Sequence, residues 1–166
     1  MKASLVLAAA MVATLVTAAP VAATTQQVAT APPAATQATA GSRWYAFLTR
    51  TTTYTEAWQE AGQNLVDALD EYDTDNAVYW SSRTRSLSLT YIRWLDAHKP
   101  ATCYKAAWTA TRTAIVDSAE SDRYMNRWLA ASPWGSDADY AHGSSLLNRS
   151  TTKLDRAAKA IDATHC

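Results

Sequence analysis

The chain has 166 residues and 15 Lys and Arg against 15 Asp and Glu, so it carries no formal net charge. With the two signs interspersed, it offers no electrostatic footprint for nucleic acid or anionic lipid, and nucleic-acid binding is disfavoured. No recognised catalytic signature is present, and the informative features are architectural.

Lys2 precedes an uncharged apolar run, Leu5–Val16, and small residues follow at 16–18 and 21–23. That is the layout of a secretory signal peptide, read over residues 1–23, with cleavage after Ala18 or Ala23 because Pro20 argues against a cut just before it. The apolar core is about half of the roughly 20 residues a membrane-spanning helix needs. No later segment is apolar enough to cross a bilayer, so no integral membrane segment is expected once the signal is removed. Residues 24–42 ("TTQQVATAPPAATQATAGS") carry no charge and no aromatic ring, and read as a flexible linker open to O-glycosylation. Residues 43–166 form the expected domain. Setting Lys2 aside leaves 14 basic residues against 15 acidic ones there, a net charge of about −1.

From Arg43 onward only Gly62, Gly135, Gly143, Pro100 and Pro133 interrupt long stretches rich in Ala, Leu, Arg, Glu and Asp, which predicts helices. The first runs from about Arg43 to Glu71, with Trp44, Leu48, Thr51, Tyr54, Trp58, Leu65, Leu69 and Tyr72 at helical spacing. The second follows a cap among Asp73, Thr74 and Asp75, turns Ala77, Trp80, Thr84, Leu87, Tyr91, Trp94 or Leu95, and His98 inward, and stops at Pro100. The third, from about Thr102 to Ala131, places Tyr104, Trp108, Thr111, Ile115, Ala119, Asp122, Met125 and Leu129 inward. After the turn "SPWGSD" the fourth runs from about Ala138 to Thr164, with Tyr140, Leu147, Leu154, Ala158 and Ile161 inward.

Four helices with short connections predict an all-α fold, an antiparallel up-down four-helix bundle. That topology sets the start of the third helix beside the end of the fourth, so Cys103 and Cys166 are expected to form a disulfide. Closing a loop of about 60 residues is worth on the order of 4 kcal/mol in the chain-entropy model.

His98 and His165 fall at the cysteine pole. With the cysteines oxidised they read as solvated residues near helix ends, and neither metal nor cofactor is expected. The opposite pole is acidic, with Asp67, Asp70, Glu71, Asp73, Asp75, Asp137 and Asp139 beside His142. Their spacing matches no calcium loop, and capping explains most of them. "HGSSL" (142–146) lacks a nucleophile elbow. Glu56 with Glu60, and Glu120 with Arg123, each share a helix face and read as surface charges. Arg83, Arg85, Arg93, Arg112, Arg123 and Arg127 read first as solvated, with convergence on an anion as the alternative. Asn148-Arg149-Ser150 is a glycosylation sequon.

Seven Trp and eight Tyr against a single Phe, Phe47, is the feature that stands out. Trp and Tyr seek one wet or hydrogen-bonded edge, and they are enriched where proteins meet partners. Most fill the bundle, but Trp134 lies in a turn, while Tyr45, Tyr79, Tyr124 and Trp128 fall off the stripes. The sequence therefore points to a secreted, non-enzymatic binding module that meets an extracellular protein or glycan through Trp134, Trp128 and Tyr124. The alternatives are a small secreted enzyme using Arg85, Arg93, Arg112 and Glu120 between helices, or a carrier of a small ligand.

Overall fold

A computed structural model describes residues 34–131, 135–164 and 166, with backbone only for 34–39. The expected signal peptide, the expected linker as far as residue 33, Trp134 and His165 lie outside the described residues. Four helices, α1 (Ala34–Asp70), α2 (Thr74–Ala97), α3 (Lys105–Ala130) and α4 (Asp137–Asp162), and one 3-10 turn (Thr102–Tyr104) make up the described regular structure.

Local chemistry explains the boundaries. α1 is described from Ala34, inside the segment expected to be linker, where Ala and Gln favour helix directly after Pro32 and Pro33. Its threonine-rich stretch is helical, with the hydroxyls of Thr51, Thr53 and Thr55 satisfied by donating to the carbonyls four residues earlier. α1 ends in a Schellman turn: the Asp73 N–H donates to the Ala68 carbonyl at 2.8 Å and the Tyr72 N–H to the Leu69 carbonyl at 3.2 Å. Asp73 then caps α2, accepting from the Asn76 N–H at 3.1 Å, and Ser136 caps α4 by accepting from the Asp139 N–H at 3.2 Å.

The chain is an antiparallel helical bundle. Side-chain hydrogen bonds fix the register, because on each neighbouring pair one residue number rises as the other falls. Thr51 and Tyr54 of α1 meet Tyr91 and Ser88 of α2. Asp96 and Ser82 of α2 meet Arg112 and Asn126 of α3. Ala114, Asp117 and Ser121 of α3 meet Ser150, Arg149 and Gly143 of α4. Helices adjacent in the chain make the principal packings, so α3 is covered by α2 on one side and α4 on the other. The Cys103–Cys166 disulfide, Cα to Cα 5.9 Å, closes the end of the α3–α4 pair where the topology placed it.

The larger core cluster sits toward the disulfide end around Phe47, Tyr54, Tyr91, Leu95, Trp108 and Ile115. A smaller one at the other end joins Ala68, Ala77 and Leu129, with Trp80 and Trp128 packed against it. The α3 stripe is as expected apart from half-buried Met125, and further buried residues follow beside it, with Ala114, Asp117 and Ser121 facing α4 and Ser118 beside Tyr54 of α1. Two other stripes are rotated from expectation. α2 buries Ser81 and Ser88 rather than Trp80 and Leu87, and His98 is exposed. α4 buries Gly143, Leu146, Ser150 and Ala157, leaving Tyr140, Leu147, Leu154 and Ile161 half-buried and Ala158 exposed. Tyr72 does not extend the α1 stripe either, because the helix has already ended and the ring is 74% exposed.

Candidate functional site

The aromatics divide into a buried set and a displayed set. At the end of the bundle holding the α1–α2 turn, Trp80 and Trp128 half-bury themselves on the Ala68–Ala77–Leu129 cluster. Tyr79 lies edge-on to Trp80 at 5.0 Å and is 58% exposed. The expected contact residues Tyr124 and Trp128 stand one turn apart on α3, facing α4. Tyr124 packs against His142 at 4.2 Å and Trp128 against Tyr140 at 4.9 Å, so both are half-committed to holding the two helices together. Arg123 and Arg127 cover the outer face of Tyr124 at 4.8 and 5.5 Å. Gly135 is required beside them. Its N–H reaches the Trp128 carbonyl at 2.8 Å, and a Cβ there would meet the Trp128 backbone at 2.8 Å.

Tyr72 is the aromatic the sequence misplaced. It occupies the left-handed position that ends a Schellman turn, with φ of 58° and its ring mostly in solvent. Glycine is the usual residue there because a Cβ is disfavoured in that conformation. Tyr45, 72% exposed, is displayed near the disulfide end.

Between α1, α2 and α3 lies a buried chain of hydroxyls. The Tyr54 O–H donates to Ser88 Oγ at 3.1 Å, Ser88 Oγ donates to the Thr84 carbonyl at 3.1 Å, and Thr84 Oγ1 donates to the Ser81 carbonyl at 2.9 Å. Asp122 reaches this chain from α3. Burial pushes its carboxyl from 3.8 up to about 7, against the opposing pull of the Thr84 hydroxyl and the Arg85 charge, and Oδ2 has no hydrogen-bond partner. Burial also raises Tyr54 and Tyr91, keeping both phenols protonated.

The residues proposed for an enzyme do not converge. Arg112 is bidentate on Asp96 at 2.8 and 3.0 Å, and Glu120 pairs with Arg123. Arg85 and Arg93 line a groove of about 280 Å³ between α2 and α3, whereas Asp122 lies behind it and does not line it. His98 is held by the Trp94 carbonyl at 2.8 Å and stacks on the Trp94 ring at 4.4 Å. At the acidic end Asp73 is a cap, Asp139 pairs with Arg127 at 3.3 Å, and Asp67 accepts from Gln63 at 2.8 Å. Among the described residues no group of three or more His, Cys, Asp or Glu is gathered to hold a metal ion, and no helix is long and apolar enough to cross a membrane. The sequon lies within α4 with its Ser150 hydroxyl buried and donated to the Ala114 carbonyl at 2.9 Å. No family model matches the chain, and no curated protein or solved structure matches it significantly.

Proposed function

We propose that the protein is a secreted, non-enzymatic binding module that engages an extracellular protein or glycan through displayed aromatics at the α1–α2 end of the bundle. Tyr72 carries this reading. A tyrosine in left-handed conformation costs about 1 kcal/mol relative to glycine, and a ring 74% exposed returns little of that by packing. Backbone strain that the fold does not need is the kind retained at contact sites. Tyr79 and the half-exposed Trp80 extend the surface with rings that are already ordered, which lowers the entropy lost on binding. The signal-like N-terminus and the disulfide support secretion.

Tyr72→Gly separates contact from folding, because glycine relieves the strain while removing the ring. The expected result is a fold more stable by about 1 kcal/mol with at least tenfold weaker binding to the host's own cell-envelope fraction. Tyr45→Ala, at the other end, is expected to leave binding unchanged. Retained binding by Tyr72→Gly and by Tyr79→Ala would contradict the proposal.

A further inference from the structure

We infer that the outer face of α2 is a binding site for an acidic polysaccharide. This goes beyond the tyrosine surface, since it uses other residues on another face. The arginines of this protein fall into two groups. Arg112, Arg123, Arg127 and Arg149, all on α3 and α4, each hold a carboxylate. Arg43 and Arg50 of α1, Arg83, Arg85 and Arg93 of α2 and Arg156 of α4 have no carboxylate within ion-pair distance among the described residues. Arg43 donates to the Lys99 carbonyl at 3.0 Å, and the Arg85 charge is felt by the buried Asp122. Only on α2 do three such arginines share one helix.

The imbalance is built into α2, which has three arginines and no acidic residue between Asp75 and Asp96. Asp96 is itself taken by Arg112 and Lys99. Glu56 and Glu60 of α1 lie at this level of the bundle, yet neither reaches an arginine. A chain without net charge thus keeps a local cationic face.

That face is grooved. Arg50 and Arg83 line a groove of about 190 Å³ between α1 and α2, with Thr53 and Thr90 beside the edges of Tyr54 and Tyr91. Arg85 and Arg93 line the groove of about 280 Å³ between α2 and α3, with Ser82 and Asn126. Ser86 lines both, so the two meet across α2, and Leu89 is exposed beside them. Each volume falls below the roughly 300–1,000 Å³ of pockets that enclose a small molecule. A chain laid over α2 with one unit entering each groove fits better than a single enclosed ligand.

The chemistry selects the ligand. Guanidinium forks match the planar oxygens of carboxylate and the oxygens of sulfate. The serine, threonine and asparagine side chains between them match sugar hydroxyls. Arg50 and Arg85 each keep a buried Nε without an acceptor, so part of the cost of dehydrating these cations is already met by the fold.

The wider α3–α4 groove, about 690 Å³, is the natural control. Its Lys153 is neutralised by Asp117, its floor includes Ala106 and Ala110, and its remaining cations are Lys105 and Arg156.

Calorimetric titration of the intact chain at low salt tests the inference with polygalacturonate, dextran sulfate and neutral dextran. Polygalacturonate is expected to bind and dextran not to. Arg83 and Arg93 are exposed, so Arg83→Ala/Arg93→Ala is expected to fold normally and to bind roughly a hundredfold more weakly, about tenfold per arginine. Lys105→Ala/Arg156→Ala is expected to bind as the parent does. Preference for dextran sulfate with the same arginine dependence would support the site and make sulfate the group it reads. Tyr72→Gly should bind these polymers normally, so failure of the tyrosine surface and failure of this site are distinguishable. Absence of binding, equal losses in the two double variants, or duplex DNA held equally tightly through Arg83 and Arg93 would overturn the inference.

Discussion

The two covered sides of α3 solve the burial of an aspartate in opposite ways. On the α4 side, Asp117 takes bidentate hydrogen bonds from Arg149 at 2.7 and 3.0 Å and a third from Lys153 at 2.6 Å, and these cations hold its carboxyl below the usual range despite burial. On the α2 side, five residues along, Asp122 meets hydroxyls instead, keeps one oxygen unpartnered, and rises to about 7. The α3–α4 seam is also the closer one. Ser121 reaches the Gly143 carbonyl at 2.8 Å, and a Cβ on Gly143 would stand 3.1 Å from Met125 Sδ. One seam is stapled, charge-paired and tight. The other is charge-paired toward the disulfide end, where Arg112 holds Asp96, but around Asp122 it meets through neutral hydroxyls, with Arg85 and Arg93 in the groove beside it. Tight packing and the grooved, arginine-lined surface thereby fall on different sides of one helix.

Four changes probe this contrast, from the largest expected effect down. Replacing Cys103 and Cys166 together with serine removes the staple and should cost on the order of 4 kcal/mol in chemical denaturation. A loss under about 1 kcal/mol would show that packing alone closes the α3–α4 end. Asp122→Asn should raise stability at pH 8, by up to about 3 kcal/mol, because it removes the need to bury a carboxylate. Unchanged or lower stability would mean that the charge is compensated. Asp117→Asn should lower stability by about 2 kcal/mol at pH 7, the scale of hydrogen bonds to charged groups. The partly exposed Arg149 and Lys153 limit the loss, and no loss at all would remove the distinction between the seams. Tyr54→Phe, which deletes the phenol that donates to Ser88, should cost about 1 kcal/mol by thermal unfolding.

How far the sequence foretold these features depends on what each needed. Pro100 and the breakers at 133 and 135 marked helix ends, and antiparallel topology alone paired Cys103 with Cys166. α3 was legible because its core positions carry Tyr, Trp, Ile and Leu. α4 was not, because its closest approach to α3 uses Gly143, Ser150 and Ala157, while larger apolar residues beside them drew the predicted stripe aside. On α2 the same bias favoured Trp80 and Leu87 over Ser81 and Ser88, whose hydroxyls are buried against other helices. Asp122 was placed inward by periodicity, but its lack of an ion-pair partner, with Arg85 acting only at longer range, depends on register. Register likewise decides which arginines find a carboxylate, so the cationic face of α2 was indistinguishable from ordinary solvated arginine. Tyr72 was misread because a tyrosine in a left-handed turn violates the local preference for glycine.

The most direct test of the contrast across α3 is the unfolding free energy from pH 5 to 8 for the parent chain and Asp122→Asn, with the disulfide intact. The native Asp122 keeps a proton up to about pH 7 that the unfolded chain releases near 4. Stability should therefore fall as pH rises from 5 and level off above 7, by up to about 3 kcal/mol between pH 5 and 8. The depressed carboxyls of Asp96 and Asp117 titrate below the window and do not interfere. A parent curve that falls while the Asp122→Asn curve stays flatter is the predicted result. Parallel curves would show that Asp122 is charged and compensated in the folded protein, and would contradict the account.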